Sequence, residues 1–207
     1  MSALDPLRWE SLWRQLGGTA PAGSFAELER HYGASDRHYH GAPHILACLA
    51  HFDRLRELAD QPAQVELALW LHDVIYDTRR QDNEAASAAL ACGWLAERGL
   101  ARHGEALHAL ILATCHQAGG LAGDAALVAD IDLSILASAP PVYAQYQAAV
   151  RREYAWVPDA LFNAGRAKVL RQLLDQAPLY QTPTLRRDWE APARANLEGE
   201  LRTLAPA

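Results

Sequence analysis

The sequence predicts an all-α bundle. Ala and Leu, both strong helix formers, dominate a chain whose hydrophobic share is 50%. Apolar residues recur at helical spacing between breaks marked by Gly and Pro, and no alternating β-branched run of the strand type occurs. At 207 residues the chain is long enough for one sizeable core and short for two, so a single domain over 1–207 is expected.

The elements follow in order. Asp5-Pro6 opens a helix carrying Leu7, Trp9, Leu12, Trp13 and Leu16, which Gly17-Gly18 ends. Ser24-Phe25-Ala26-Glu27 reads as a capping box for a short helix that stops at Gly33. Pro43 starts a third, with Ile45, Leu46, Leu49, Phe52, Leu55 and Leu58 as its stripe and His44 in its first turn. A fourth begins near Pro62 and carries Val65, Leu69, His72 and Tyr76 on one side, with Asp73 about 100° round from His72. Asp82-Asn83-Glu84 opens a fifth that runs to Gly99, its acids favoured by the helix dipole. A sixth runs from Gly104 to His116 and stops at Gly119-Gly120, and Gly123-Asp124 precedes a helix bearing Asp130 and Leu133. Pro140-Pro141 and Pro158-Asp159 precede two more, the first with Tyr143, Tyr146 and Val150 and the second with Leu161, Val169 and Leu173. The last helix is expected over Trp189–Leu204, with a kink or restart at Pro192.

Composition bounds the function. A net charge of -6, with Lys168 the single lysine among nineteen basic residues, leaves no basic patch for a nucleic-acid polymer. Cys48, Cys92 and Cys115 are widely spaced and form no Cys-x-x-Cys pair, which suits a reducing cytoplasm better than a disulfide framework or zinc ribbon. The first residues show no basic region followed by an apolar core, and no apolar run reaches the roughly 18 residues of a membrane span. A cytoplasmic protein that engages no membrane is the expectation. An apolar helix face could support a homodimer.

His72-Asp73 sets an imidazole and a carboxylate inside an apolar run. An unpaired carboxylate there costs several kcal/mol or neutralises by a shifted pKa, whereas a divalent cation satisfies both groups at once. Upstream stands Arg37-His38-Tyr39-His40-Gly41-Ala42-Pro43-His44, and downstream Val128-Ala129-Asp130-Ile131-Asp132-Leu133. The order His, His-Asp, Asp resembles the HD-domain superfamily of metal-dependent phosphohydrolases. The whole chain is similar to its small bacterial predicted HD phosphohydrolases, through Tyr39-His40…His44, His72-Asp73…Tyr76-Asp77, Asn83-Glu84…Ser87-Ala88, Thr114…His116, Asp130-Ile131-Asp132-Leu133, Glu153-Tyr154, Gly165-Arg166 and Asn196-Leu197.

The resemblance implies an HD-type bundle of about nine or ten helices and maps His44, His72, Asp73 and Asp130 onto the metal ligands. Asp132, about 200° from Asp130 on a helix, is expected to point elsewhere. Such a donor set admits one or two divalent ions drawn from Mn, Mg, Fe, Co, Ni and Zn. Tyr39-His40-x-x-x-His44 also resembles the motif of cyclic-nucleotide phosphodiesterases, whose first His protonates the leaving oxygen, although Gly41 stands here where those enzymes usually have Asn. His40 is therefore the expected general acid or phosphate contact. Asp77 and Glu84 are candidates to orient the attacking water, or else a surface charge and a first-turn acid. Arg37, Arg151 and Arg166 are candidate phosphate clamps. His116 is counted with the substrate-binding residues, and is also readable as an extra metal ligand or a solvent-facing helix end. The expected activity is hydrolysis of a small-molecule phosphoester, a nucleotide by analogy with the superfamily, through a metal-activated water. A diiron oxygenase and a non-catalytic metal- or nucleotide-binding sensor are the alternatives.

Overall fold

The computed structural model describes residues 4–116 and 120–204. Its ten α-helices are α1 (Pro6–Gln15), α2 (Ser24–Tyr32), α3 (Ala42–Leu55), α4 (Pro62–Leu71), α5 (Asn83–Glu97), α6 (Gly104–Leu112), α7 (Gly123–Asp132), α8 (Pro140–Glu153), α9 (Asp159–Asp175) and α10 (Pro183–Leu204), and the described residues include no strand. The predicted all-α bundle is what the chain forms. Among the described residues no single helix is long and apolar enough to cross a membrane.

Helix α4 organises the first seven helices. Every residue from Val65 to Leu71 is buried, so this helix is apolar all round instead of amphipathic, the pattern of a helix enclosed by others. Trp70 packs 5.4 Å from Trp9, which in turn meets Trp13 at 5.6 Å and Trp94 at 6.1 Å. These tilted and edge-on contacts join α1, α4 and α5. The one acid in the run, Glu66, receives Arg8 Nε at 2.7 Å and Arg56 at 2.6 Å, which makes its burial tolerable. A second core lies among α8, α9, α10 and the 3₁₀ turn Leu133–Ala137, and includes Leu136, Tyr143, Leu170, Tyr180 and Leu197. Trp189 packs against both cores.

Several local expectations are corrected. Ser24 is not a cap: α2 is preceded by Gly23 at φ 78, and the Ser24 hydroxyl accepts a hydrogen bond from the buried Trp9 indole at 3.0 Å. Helix α4 ends at Leu71, so His72 is its C-cap and Asp73 lies in the following turn, off the helix. Helix α6 ends at Leu112 and passes through the 3₁₀ turn Ala113–Cys115 to His116 in the left-handed region at φ 52, with Gly119 of the expected stop outside the described residues. The last helix starts at Pro183 and contains Pro192 within one continuous helix. Pro183 suits a first turn, where an N–H is not required by the helix.

Candidate metal centre

Three helix ends deliver the ligands to one point. His44 enters from the first turn of α3, His72 and Asp73 from the end of α4, and Asp132 is the last residue of α7. The two Nε2 atoms of His44 and His72 stand 3.1 Å apart, and Asp132 Oδ1 is 3.1 Å from the first and 3.3 Å from the second. His44, His72 and Asp132 could hold a metal ion, since one ligand atom from each lies within 4.8 Å of the others. Asp73 stands outside that tight triad but turns Oδ2 to the same imidazoles, 3.4 Å from His44 Nε2 and 3.2 Å from His72 Nε2.

The structure brings Asp132 to the imidazoles in place of Asp130, the aspartate expected there from the sequence. Asp130 is buried on the other side of α7, where its two carboxylate oxygens accept the backbone N–H groups of Gln181 at 2.9 Å and Thr182 at 2.6 Å. It thereby holds the chain that leads into α10. Burial raises its pKa, and those two N–H groups partly offset the rise. The half-turn separation between residues 130 and 132 is real, and Asp132 is the one on the side of the imidazoles.

The donor set fits a divalent cation on two observations. First, Asp73 Oδ2 is buried without an aligned hydrogen bond among the described residues, which a carboxylate oxygen rarely tolerates. Second, His72 Nδ1 donates to the Leu69 carbonyl at 3.1 Å, a bond that turns Nε2 toward the carboxylates as the nitrogen a cation would take in exchange for a proton. The electrostatics agree. Burial opposes a charge on His72, yet Asp73 and Asp132 overcome it and hold the imidazole well above its ordinary pKa. Burial likewise opposes charge on Asp73 and Asp132, and His72 leads the attractions that pull both below the usual carboxylate range.

Beside this cluster His40 is fixed on several sides. Its Nδ1 lies 2.7 Å from Glu153 Oε2, and Tyr76 stacks on its ring at 4.1 Å. Glu153 Oε1 accepts three successive backbone N–H groups, those of His38, Tyr39 and His40, at 2.7–2.8 Å. One buried carboxylate at the end of α8 thus organises a whole turn more than a hundred residues upstream in sequence. Desolvation opposes the charged form of His40, but the Glu153 hydrogen bond and the charges of Asp73, Glu153 and Asp132 outweigh it and raise its pKa. Arg37 donates to the carbonyls of His40 at 3.2 Å, Asp73 at 2.7 Å and Val74 at 2.9 Å. Its guanidinium ties the His40 turn to the His72-Asp73 turn, and a phosphate clamp is not its position. Gly41 fits this packing: a Cβ there would stand 3.0 Å from the Tyr32 carbonyl oxygen, which argues against an Asn side chain at that point.

A cleft of about 760 Å³ opens over the cluster, with His40, Asp73 and Asp132 among its lining and α9 as its far wall. Glu84, at the start of α5, and His116 also face it. His116 Nε2 is 2.8 Å from Asp132 Oδ2, while its carbonyl accepts Gln176 Nε2 at 2.8 Å. It therefore braces the ligand carboxylate and is not turned out to solvent. Glu84 sits near Cys115, whose thiol is pushed up to about 11 by burial and then by that acid. Arg166 lines the cleft but is held by Glu200 through two bonds of 2.7 and 3.0 Å and lies over the Tyr146 ring. Arg151 and Asp77 lie away from it. Arg151 donates to the Tyr154 and Val157 carbonyls and to Asp159, and Asp77 accepts the Arg79 N–H and gives its own to Asn83 Oδ1.

The residue that sequence reasoning left without a role is Glu153. A signal was present, because Tyr143, Tyr146, Val150 and Glu153 fall on one helical stripe, and an acid on an apolar stripe requires a buried partner. Among known proteins, no family model, curated protein or solved structure matches this chain.

Proposed function

We propose that the chain is a cytoplasmic, metal-dependent phosphohydrolase of the HD type that cleaves a small-molecule phosphoester, with a nucleotide as the expected substrate. The observation that supports this reading most is the pairing of an incomplete buried ligand set, His44, His72, Asp73 and Asp132, with an oriented imidazole at the same cleft. When bound, a divalent cation lowers the pKa of a coordinated water and offsets charge on a phosphoryl group. The chain's own groups supply the rest. His40, with Nδ1 held by Glu153, has its Nε2 unpartnered among the described residues and in position to give a proton to the leaving oxygen. Glu153 stabilises the imidazolium before the transfer, and Tyr76 keeps the ring from turning. Tyr39 packs against both His40 and His44 and thereby holds the acid and a ligand at a fixed separation.

The test is phosphate release from nucleotides, cyclic nucleotides and generic phosphoesters by metal-stripped protein, with Mn²⁺, Mg²⁺, Co²⁺, Ni²⁺, Zn²⁺ or Fe²⁺ restored singly. His72→Ala and Asp132→Ala should abolish any turnover that wild type shows. Absence of turnover with every ion, in a protein that binds metal and keeps its fold, would refute the hydrolase reading.

A further inference from the structure

Among the described residues, each basic side chain that faces the cleft is already paired with an acid. Arg166 is bonded twice to Glu200, His40 to Glu153 and His116 to Asp132. Lys168 and Arg171, although on the same helix as Arg166, do not line the cleft. Against this stand two further carboxylates with no bonded cation among the described residues, Glu84 and Asp175, which also face the space. The remaining wall is apolar or neutral and includes Ile135, Leu136, Val169 and Leu173, with Gln172 exposed at the rim. The volume suits a ligand the size of a nucleoside with one phosphate, with both apolar and neutral polar groups to meet its body.

Resting on the reading of the cleft as a phosphoester site, we propose that it selects a monoester with a single phosphate on an uncharged, ring-sized body and discriminates against polyphosphates. One phosphate has the His/Asp cluster and its cation as a partner. Each added phosphate brings negative charge into a cleft that holds Glu84 and Asp175 and finds no unpaired Arg or Lys among the described residues of its lining, the opposite of sites built for di- and triphosphates. The uncharged body is favoured because the apolar wall gains nothing from solvated charge.

The experiment is calorimetric binding of AMP, ATP and inorganic phosphate to the full-length protein, with and without the divalent ion that raises its melting temperature most, run beside a turnover assay. AMP should bind about tenfold or more tightly than both ATP and inorganic phosphate. Gln172→Arg, which adds an unpaired cation at the rim, should narrow the gap between AMP and ATP. ATP binding as tightly as AMP, or AMP no tighter than inorganic phosphate, overturns the inference whether or not either nucleotide is hydrolysed. Failure of both nucleotides to bind overturns it also. The expected affinity order with no turnover of any phosphoester in the panel above supports it while removing the hydrolase reading, so the two failures are distinguishable.

Discussion

Two buried charge clusters flank the cleft, and they differ in one respect. Arg166, Glu200 and Tyr143 close on themselves: the guanidinium gives Glu200 two bonds, the Tyr143 hydroxyl adds a third at 2.5 Å, and both acid oxygens are satisfied. His44, His72, Asp73 and Asp132 do not close, because two carboxylates share two imidazoles and Asp73 Oδ2 is left without an aligned donor. The complete cluster is a structural joint between α8, α9 and α10. The incomplete one is the arrangement expected where something external supplies the missing positive charge.

Breaking the incomplete cluster should have the largest effect. Asp132→Ala is expected to weaken divalent-metal binding by roughly a hundred- to a thousandfold, one ligand's share of the roughly 10–16 kcal/mol that a four-ligand site supplies. Asp130→Ala should leave metal content unchanged. Metal analysis of the two purified variants decides the matter, and retention of metal by Asp132→Ala with loss from Asp130→Ala would reverse the ligand assignment given above.

Metal addition to stripped protein should stabilise the fold by about 4 kcal/mol at a thousandfold excess over Kd, read as a rise in melting temperature. The same addition to Glu200→Gln should produce a similar rise, because the two clusters share no ligand. A rise that vanishes in Glu200→Gln would show that they are coupled.

The closed cluster should respond to mutation and to pH, with no call for metal. Glu200→Gln leaves Arg166 short of its counter-ion and is expected to cost about 3 kcal/mol in denaturant unfolding at neutral pH. Burial opposes the charge of Glu200, but Arg166 and then Tyr143 outweigh it and hold its pKa below the ordinary 4.5. Its contribution is therefore complete above pH 4.5 and is lost as pH falls through the lower folded value. The stability difference between wild type and Glu200→Gln should shrink on acidification, and a difference that grows would refute the assignment.

Glu153→Gln sharpens the comparison from the catalytic side. It keeps an acceptor for the backbone N–H groups but removes the charge opposite His40, so turnover should fall about 100-fold with metal content intact. The imidazole pKa, followed by NMR, should fall in the same variant, a shift that a purely structural role would not produce. Asp130→Ala should have the smallest effect, about 2 kcal/mol of stability through the two N–H groups it strands at the start of α10, measured by denaturant unfolding.

Much of the fold was legible in the sequence because helix signals are local. Pro43, Pro62 and Pro140 mark helix starts as their fixed φ requires, and the stripes through Leu12 and Leu49 place those residues in the core, whereas of the stripe expected on α9 only Leu173 is buried and Leu161 and Val169 are exposed. Ser24 was misleading because its hydroxyl has two local uses, and only the position of the Trp9 indole selects one. Tertiary contact likewise decided the Arg residues: each carries the same five donors in the sequence, and Arg37 became a backbone tie because three carbonyls from two turns converge on it.

By itself the sequence determined that the chain is a helical bundle, that His44 stands in the first turn of a helix and that His72-Asp73 sets metal-type donors in an apolar run, whereas the end of α4 just before His72 was decided by the structure. Which carboxylate of Asp130 and Asp132 completes the cluster, and that Glu153 holds His40, were decided only by tertiary structure. A half-turn of α7 separates the two aspartates equally well in either assignment, and only the docking of α3, α4 and the start of α10 fixes which side faces the imidazoles.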